Sequence, residues 1–205
     1  MMSWRLSAEH GGGVLVDPGA HLVDLAHYLI GSIARVAGSD ARFVTERPDA
    51  RGASQPIDVE DIVQSVLVSD TGAIGTLSLS RLAGGYRCQN GFEVIGSNGS
   101  LRWEFQRMNE LDVYLADGPV SLRGWRTVSV TEPGVHPWAS HWWGAGHVLG
   151  YEATFVHQLV DVLSQFGSGT SDPAPSAPTF EDGLRCQRVL AALATATREQ
   201  RWVAV

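Results

Sequence analysis

Lysine is missing from this 205-residue sequence, and all fifteen basic side chains are arginine. Schiff-base catalysis, a phosphate-loop lysine and a lysine general acid are therefore closed to the chain's own residues. A basic block is missing as well: the formal charge is −7, and the nearest cluster, Arg102 and Arg107, sits among acids. Nucleic acid, which needs cations to neutralise its phosphates, is excluded as a partner. Cysteine is reduced to Cys88 and Cys186, which match no metal or redox spacing, so two reduced thiols are expected. No apolar run approaches the roughly 18 residues of a membrane span. The opening Met1-Met2-Ser3-Trp4-Arg5 lacks the apolar core of a signal peptide. These absences predict a cytoplasmic protein with no membrane segment.

What is present points to a folded protein, with 44% hydrophobic and 18% charged residues, and the length suits a single domain over 1–205. The densest chemistry lies in 11–31, where three glycines, a short apolar run, Asp17-Pro18, His21 and Asp24 follow one another. Asp17-Pro18 reads as an N-cap followed by proline at the first helical position, because the carboxylate accepts orphan N–H groups and proline has none to lose. A helix over 18–30, stopped by Gly31, follows. Helical periodicity puts Asp17, His21, Asp24 and Tyr28 on one stripe and Leu22, Leu25, Ala26 and Leu29 on another. Two readings stand at each polar position: Asp17 as a cap or a catalytic carboxylate, and His21 as a proton carrier or a half-buried histidine bonded to Asp17 or Asp24. Asp24 and Tyr28 are read either as site groups or as braces of the face.

Downstream, 33–44 reads as a strand and 47–56 as a loop. Alternation then predicts a hairpin of 59–68 and 73–82 around Asp70-Thr71-Gly72, with Leu77 and Leu79 opposite Ile74, Thr76, Ser78 and Ser80. A second hairpin, 91–95 with 100–105, carries the Asn-Gly turn signature at Asn98-Gly99. Strands are expected at 111–115 and 125–130, and a loop over 136–150 holds His136, Trp138, His141, Trp142, Trp143 and His147. A helix over 151–166 has Phe155, Leu159, Val162 and Leu163 as its apolar stripe. A Ser/Pro/Gly linker over 167–178 leads to a helix capped by Thr179 and running to about Arg198, before a strand-like end. The order implies an α+β fold: an open, mainly antiparallel sheet of six or more strands with helices on one face. The sheet surface left over favours a homo-oligomer.

Neither Gly11–Gly13 nor 144–150 has the strand, G-x-G-x-x-G and helix that a dinucleotide turn requires, so no nucleotide-binding fold is read here. The histidines of 136–147 match no standard zinc spacing. An aromatic, histidine-rich lip that stacks on a substrate stands beside plain packing of Trp142 and Trp143 and the zinc reading.

Three separated motifs resemble one family in its order. Trp4-Arg5 followed by Gly-Gly-Gly-x-x-x-Asp-x-Gly-x-His-x-x-Asp over 11–24, then Phe92-Glu93-Val94-Ile95-Gly96-Ser97-Asn98-Gly99-Ser100-Leu101, then Phe180-Glu181-Asp182-Gly183-Leu184-Arg185-Cys186-Gln187, are similar to the C-terminal domain of the glucose-fructose oxidoreductase and inositol dehydrogenase (Gfo/Idh/MocA) family. The resemblance implies a domain that binds a sugar, polyol or related small molecule, with Asp17 and His21 beside the nicotinamide and His21 as the acid/base for the hydroxyl proton. Asp24, Arg81, Tyr86, Arg87, His141, Trp142 and Tyr151 are the expected substrate contacts. Family members also carry a Rossmann domain with a nucleotide turn and a Glu-Lys-Pro lysine, and this sequence shows neither. The expectation is therefore a substrate-binding and acid/base half of an oxidoreductase, taking NAD(P) only from a Rossmann domain supplied elsewhere and binding no cofactor or metal alone. Partnership with a Rossmann-bearing subunit stands beside homo-oligomerisation. A cofactor-independent lyase, dehydratase, isomerase or cyclase using Asp17 and His21 is the alternative, and a non-catalytic binding or scaffold subunit is the third reading.

Overall fold

The structure is a computed structural model that describes residues 3–167 and 177–205. Its helices are α1 (Asp17–Ile30), α2 (Tyr151–Gly167) and α3 (Phe180–Glu199). Its strands are β1 (Ile33–Ala41), β2 (Glu46–Pro48), β3 (Ser54–Pro56), β4 (Ile62–Ser69), β5 (Ile74–Ser80), β6 (Gly91–Gly96), β7 (Gly99–Glu104), β8 (Glu110–Leu115), β9 (Arg126–Ser129) and β10 (Val203–Ala204). Contacts divide the chain into two compact units, Met1–Gly84 with Pro178–Val205, and Gly85–Ala177. The α+β class of helices and antiparallel strands is as the sequence implies. The single sheet of six or more strands is not: the strands form two four-stranded sheets, ordered β10-β1-β4-β5 and β6-β7-β8-β9, and a two-stranded ribbon of β2 and β3. That ribbon replaces the loop expected over 47–56, its register running from Glu46↔Pro56 to Pro48↔Ser54.

In the first unit the sheet packs against α1 and α3. Alternation along β4 and β5 sends Val63, Leu67, Leu77 and Leu79 to the helices, with Val63 opposite Leu79 and Ser65 opposite Leu77. The buried Ser65 hydroxyl donates to the Leu77 carbonyl at 3.2 Å, so no polar group is stranded there. Ile33 and Val36 on β1 are both buried despite their odd spacing. A shift in register between Ile33 and Arg35 supplies the extra residue that turns both side chains inward. Val14, Val23, Val36, Val63, Val189 and Leu193 are the largest fully buried side chains. On α1 the core face is Gly19 and Val23, flanked by Ala20, Leu22 and Ala26, while Leu29 lies at the exposed edge. At Gly19 a Cβ would come within 3.1 Å of Leu79 Cδ1, so the absent side chain lets helix and sheet approach. The Thr179 expectation holds in full: its side chain and Asp182 form a reciprocal capping box at the start of α3.

The second unit is built differently. An aromatic ladder runs from its sheet to α2: Phe92 stacks on Trp103 at 5.9 Å, and edge-to-face contacts then join Trp103 to Phe105 at 6.2 Å, Phe105 to Tyr151 at 5.2 Å and Tyr151 to Phe155 at 5.1 Å. The Asn109 side chain both donates to and accepts from Leu149, pinning the segment before α2. The stripe predicted on α2 exists as a pattern, but Phe155, Leu159 and Leu163 are exposed. The turn between β6 and β7 is Ser97-Asn98, flanked by the paired Gly96 and Gly99. The Asn-Gly reading of that turn is corrected, because neither central residue has the positive φ that a type I′ turn requires. The stretch 168–176, within the linker read from sequence, lies outside the described residues. Among the described residues no helix is long and apolar enough to cross a membrane.

Leu193→Ala is expected to lower stability by about 2–5 kcal/mol through cavity formation. Ile74→Ala, on the exposed face of β5, is expected to stay within about 0.5 kcal/mol. Urea unfolding midpoints measure both, and a loss at Ile74 as large as that at Leu193 would show that the outer face of β5 is misassigned as exposed.

Candidate active site

The geometry at the start of α1 begins with two glycines that have no room for a side chain. A Cβ on Gly12 would stand 2.6 Å from the Arg5 carbonyl carbon, and on Gly13, where φ is +108°, 2.6 Å from Glu60 Oε1. The turn therefore lies directly on residues 4–7: Gly12 N–H donates to the Ser7 carbonyl at 2.9 Å and Gly13 N–H to that of Arg5 at 3.0 Å. Gly11 N–H is bonded to the Ala8 carbonyl at 3.0 Å and Leu15 N–H to Glu60 Oε1 at 2.7 Å. A phosphate cradle needs free amides pointing outward, and these four are already engaged. The glycine turn thus does not fit the phosphates of a dinucleotide.

Asp17 is the first residue of α1 rather than its cap. Val16 holds the cap position and makes no side-chain cap bond, and Pro18 follows one place later than expected. The Asp17 carboxylate turns to arginines instead. Arg81, just beyond β5, places Nη2 at 2.6 Å from Asp17 Oδ2, and Arg5 places Nε at 3.0 Å from the same oxygen. Burial would raise the Asp17 pKa, but the bond and charge of Arg81, followed by those of Arg5, outweigh it and hold the carboxyl below the usual aspartate range. Arg81 also reaches the Gly13 carbonyl at 3.4 Å.

His21 lies one turn along α1 and is exposed. Among the described residues it makes no hydrogen bond to Asp17 or Asp24, so the half-buried, carboxylate-bonded histidine is corrected to an open one. Asp24 is also exposed, and its Oδ1 accepts the Cys186 thiol at 3.7 Å. Burial, then the Asp24 charge, pushes that thiol up to about 11, which makes it unreactive. Tyr28 faces solvent. His27, which the sequence did not single out, is half-buried with Nδ1 unpartnered. Its pKa is lowered by burial and then by Arg185, against the pull of Asp24 and Asp182.

The remaining expected contacts belong to the second unit. Tyr86 and Arg87 are exposed in an irregular segment. Tyr151 is a rung of the aromatic ladder. His141 and Trp142 gather around a residue that the sequence reading missed, His157 on α2. Trp138 stacks on His157 at 5.3 Å, His136 lies at 5.7 Å from it, and His141 packs on Trp138 at 5.4 Å. Trp142 Nε1–H donates to His157 Nε2 at 2.7 Å. An indole is only a donor, so Nε2 must be unprotonated. The signal for His157 was a histidine on a helix next to a loop of tryptophans. Among the described residues no group of three or more His, Cys, Asp or Glu is placed to hold a metal ion. A hollow lined by Arg102, Glu104, Arg107, Glu110 and Asp112 is closed by its own cross-strand pairs, Arg102 to Asp112 and Thr127 to Asp112.

The His157 pKa lies below the ordinary histidine value, lowered by burial, then by His136 and less by His141, with Asp161 opposing. A histidine lowered in this way adds stability above about pH 6.5, its ordinary value, and loses it as pH falls through the folded value. Acidification is therefore expected to break the Trp142–His157 bond. The Trp142 indole N–H resonance should move upfield as pH falls, and a signal that stays put until global unfolding would contradict the assignment.

Comparison with known proteins identifies the architecture. Residues 1–102 match the model of the GFO/IDH/MocA C-terminal domain. All of the chain aligns with levoglucosan dehydrogenase from Pseudarthrobacter phenanthrenivorans at 30% identity, over 55% of that protein. An oxidoreductase domain protein from Kribbella flavida is 39% identical with a TM-score of 0.90, over 100% of this chain and 54% of its own. A levoglucosan dehydrogenase solved with NADH and L-sorbose is 31% identical with a TM-score of 0.93, again over 100% of this chain and 54% of its own. The chain thus spans about half the length of the relatives it matches. With the family model, the fold and the dehydrogenase relatives in agreement, the chain belongs to the GFO/IDH/MocA oxidoreductase family, in its C-terminal domain.

Proposed function

We propose that this chain is the substrate-binding and acid/base half of an NAD(P)-dependent oxidoreductase that acts on a sugar, polyol or related hydroxylated compound, with the dinucleotide held by a Rossmann domain outside these 205 residues. The observation that carries the reading is the start of α1. There a carboxylate anchored by Arg5 and Arg81 stands one turn before an exposed histidine, in a chain whose relatives include a levoglucosan dehydrogenase.

The chemistry asked of the chain is limited to the substrate side. Oxidising a secondary alcohol requires removal of the hydroxyl proton as the carbon gives up a hydride. His21, with an imidazole open to solvent, is the group that takes this proton and returns it in the reverse direction. Asp17 supplies a fixed negative charge nearby, which favours the protonated imidazole formed during the step. Asp24 lies on the same face of the helix, where a carboxylate accepts hydrogen bonds from substrate hydroxyls. With the glycine-turn amides engaged, no step is assigned to a cofactor held by this chain.

The test is complementation. Mixed with the nucleotide-binding half of the levoglucosan dehydrogenase, the chain is expected to support levoglucosan-dependent formation of NADH, and His21→Ala is expected to lower the rate by about 10²–10⁴-fold. An undiminished rate in His21→Ala would remove the acid/base role. Turnover of a sugar by the chain alone, without dinucleotide, would replace the reading with a cofactor-independent enzyme.

A further inference from the structure

The geometry around Asp17 points to a role for two arginines that differs from substrate contact, and the inference deepens the reading above. We propose that Arg81 and Arg5 are positioning residues that clamp Asp17 as a permanent anion, leaving proton transfer to His21 alone.

Both guanidinium groups converge on one oxygen of the carboxylate. Arg81 Nη2 lies 2.6 Å and Arg5 Nε 3.0 Å from Oδ2, and among the described residues no donor reaches Oδ1. The carboxylate is thus fixed from one side and open on the other. Arg81 acts inward: its Nη2 also reaches the Gly13 carbonyl, and its Nε is buried without a partner. A guanidinium so placed, with only about a quarter of its side chain exposed, braces the glycine turn and the helix start together. Arg5 closes the clamp from the segment on which the turn rests, its guanidinium also lying over the Trp4 ring at 4.6 Å.

The charged groups around Asp17 come from every neighbouring element. Arg5 comes from the segment before the turn, Arg81 from the end of β5, Glu60 from the segment before β4, and His21 from α1 itself. Glu60 is engaged by Leu15 N–H and packs on Gly13. Two guanidinium groups on one oxygen make the carboxyl a stronger acid and therefore a poor proton acceptor. Asp17 then offers Oδ1 as a hydrogen-bond acceptor and a negative charge, but exchanges no proton during turnover. An arginine pair suits this task, because guanidinium keeps its charge across the working pH range and its planar fork holds geometry.

The experiment is a carboxyl-carbon NMR titration of the full chain labelled at aspartate, run on the wild type and on Arg81→Gln, Arg5→Gln and Arg81→Lys. Asp17→Asn assigns the signal. In the wild type the Asp17 midpoint is expected below the ordinary aspartate value of about 3.9. It should rise in Arg81→Gln, rise less in Arg5→Gln, whose side chain is half exposed, and fall back toward the wild type in Arg81→Lys, which restores the charge. A midpoint at the ordinary value in the wild type, or one unmoved by both Arg81→Gln and Arg5→Gln, overturns the proposal. If Arg81→Gln fails to fold, Arg5→Gln carries the same test. The titration needs neither substrate nor partner. A low Asp17 midpoint with failed complementation leaves the clamp standing without the oxidoreductase reading, and the reverse pattern removes the clamp alone.

Discussion

The docking of Gly12 and Gly13 onto the chain before them is the constraint from which the α1 site follows. With a Cβ on Gly12 standing 2.6 Å from the Arg5 backbone, a side chain there lifts the turn away from residues 4–7, and at Gly13 one would both strain a φ of +108° and displace the Glu60 carboxylate. Arg5 is then drawn away from Asp17. The opposite wall is set by the sheet. Ile62 pairs with Ser80 at the end of β4 and β5, and Arg81 N–H continues the ladder to the Asp61 carbonyl at 2.9 Å. Two adjacent acids fix that corner. Glu60 holds Leu15 N–H, and the buried Asp61 holds the N–H groups of Phe43 and Val44 at 2.8 and 2.9 Å. An anion held by backbone donors is stabilised without a cationic partner, so these acids act as structural pins.

Periodic signals were the legible part of the sequence. The α1 helix, the hairpin of β4 and β5 with Leu77 and Leu79 inward, and the Thr179 cap all follow from side-chain spacing and local hydrogen bonding, which act within a few residues. What spacing could not show depends on residues far apart in the chain. Asp17 and Arg81 are 64 positions apart, and only the ladder that ends at Arg81 brings them together. A local view of Asp17-Pro18 sees a cap because it cannot see the arginines that compete for the carboxylate. Glu60 was unreadable for the same reason, since nothing around it signals a backbone donor 45 positions earlier. The shift in β1 register also escaped, because it breaks the alternation on which strand reading rests.

The two units rely on different interactions. The first buries valine and leucine between sheet and helices, and much of its stability follows from area removed from water. In the second, Ala139 and Ala153 are the buried hydrophobic residues among those described, and edge-to-face rings and cross-strand ion pairs connect the elements. Aromatic pairs carry roughly 0.5–1.5 kcal/mol each beyond their area, and exposed ion pairs carry little. The apolar stripe read on α2 is present as a pattern yet largely exposed, because periodicity reports which residues share a face and not what covers it.

The absence of lysine bears on the site as much as on the composition. Arginine keeps its charge far above neutrality, so the cations around Asp17 are constant through neutral pH and well beyond it. Asp17, held low by those cations, stays an anion. Cys186, pushed up to about 11, stays a thiol, and His27 is biased toward its neutral form by burial and Arg185. Around the first turns of α1 these groups form a nearly fixed charge pattern. The imidazole on the open face beside that pattern is His21. A proton moved there changes the charge of a single exposed group against constant surroundings, which is what the proposed acid/base role asks of it.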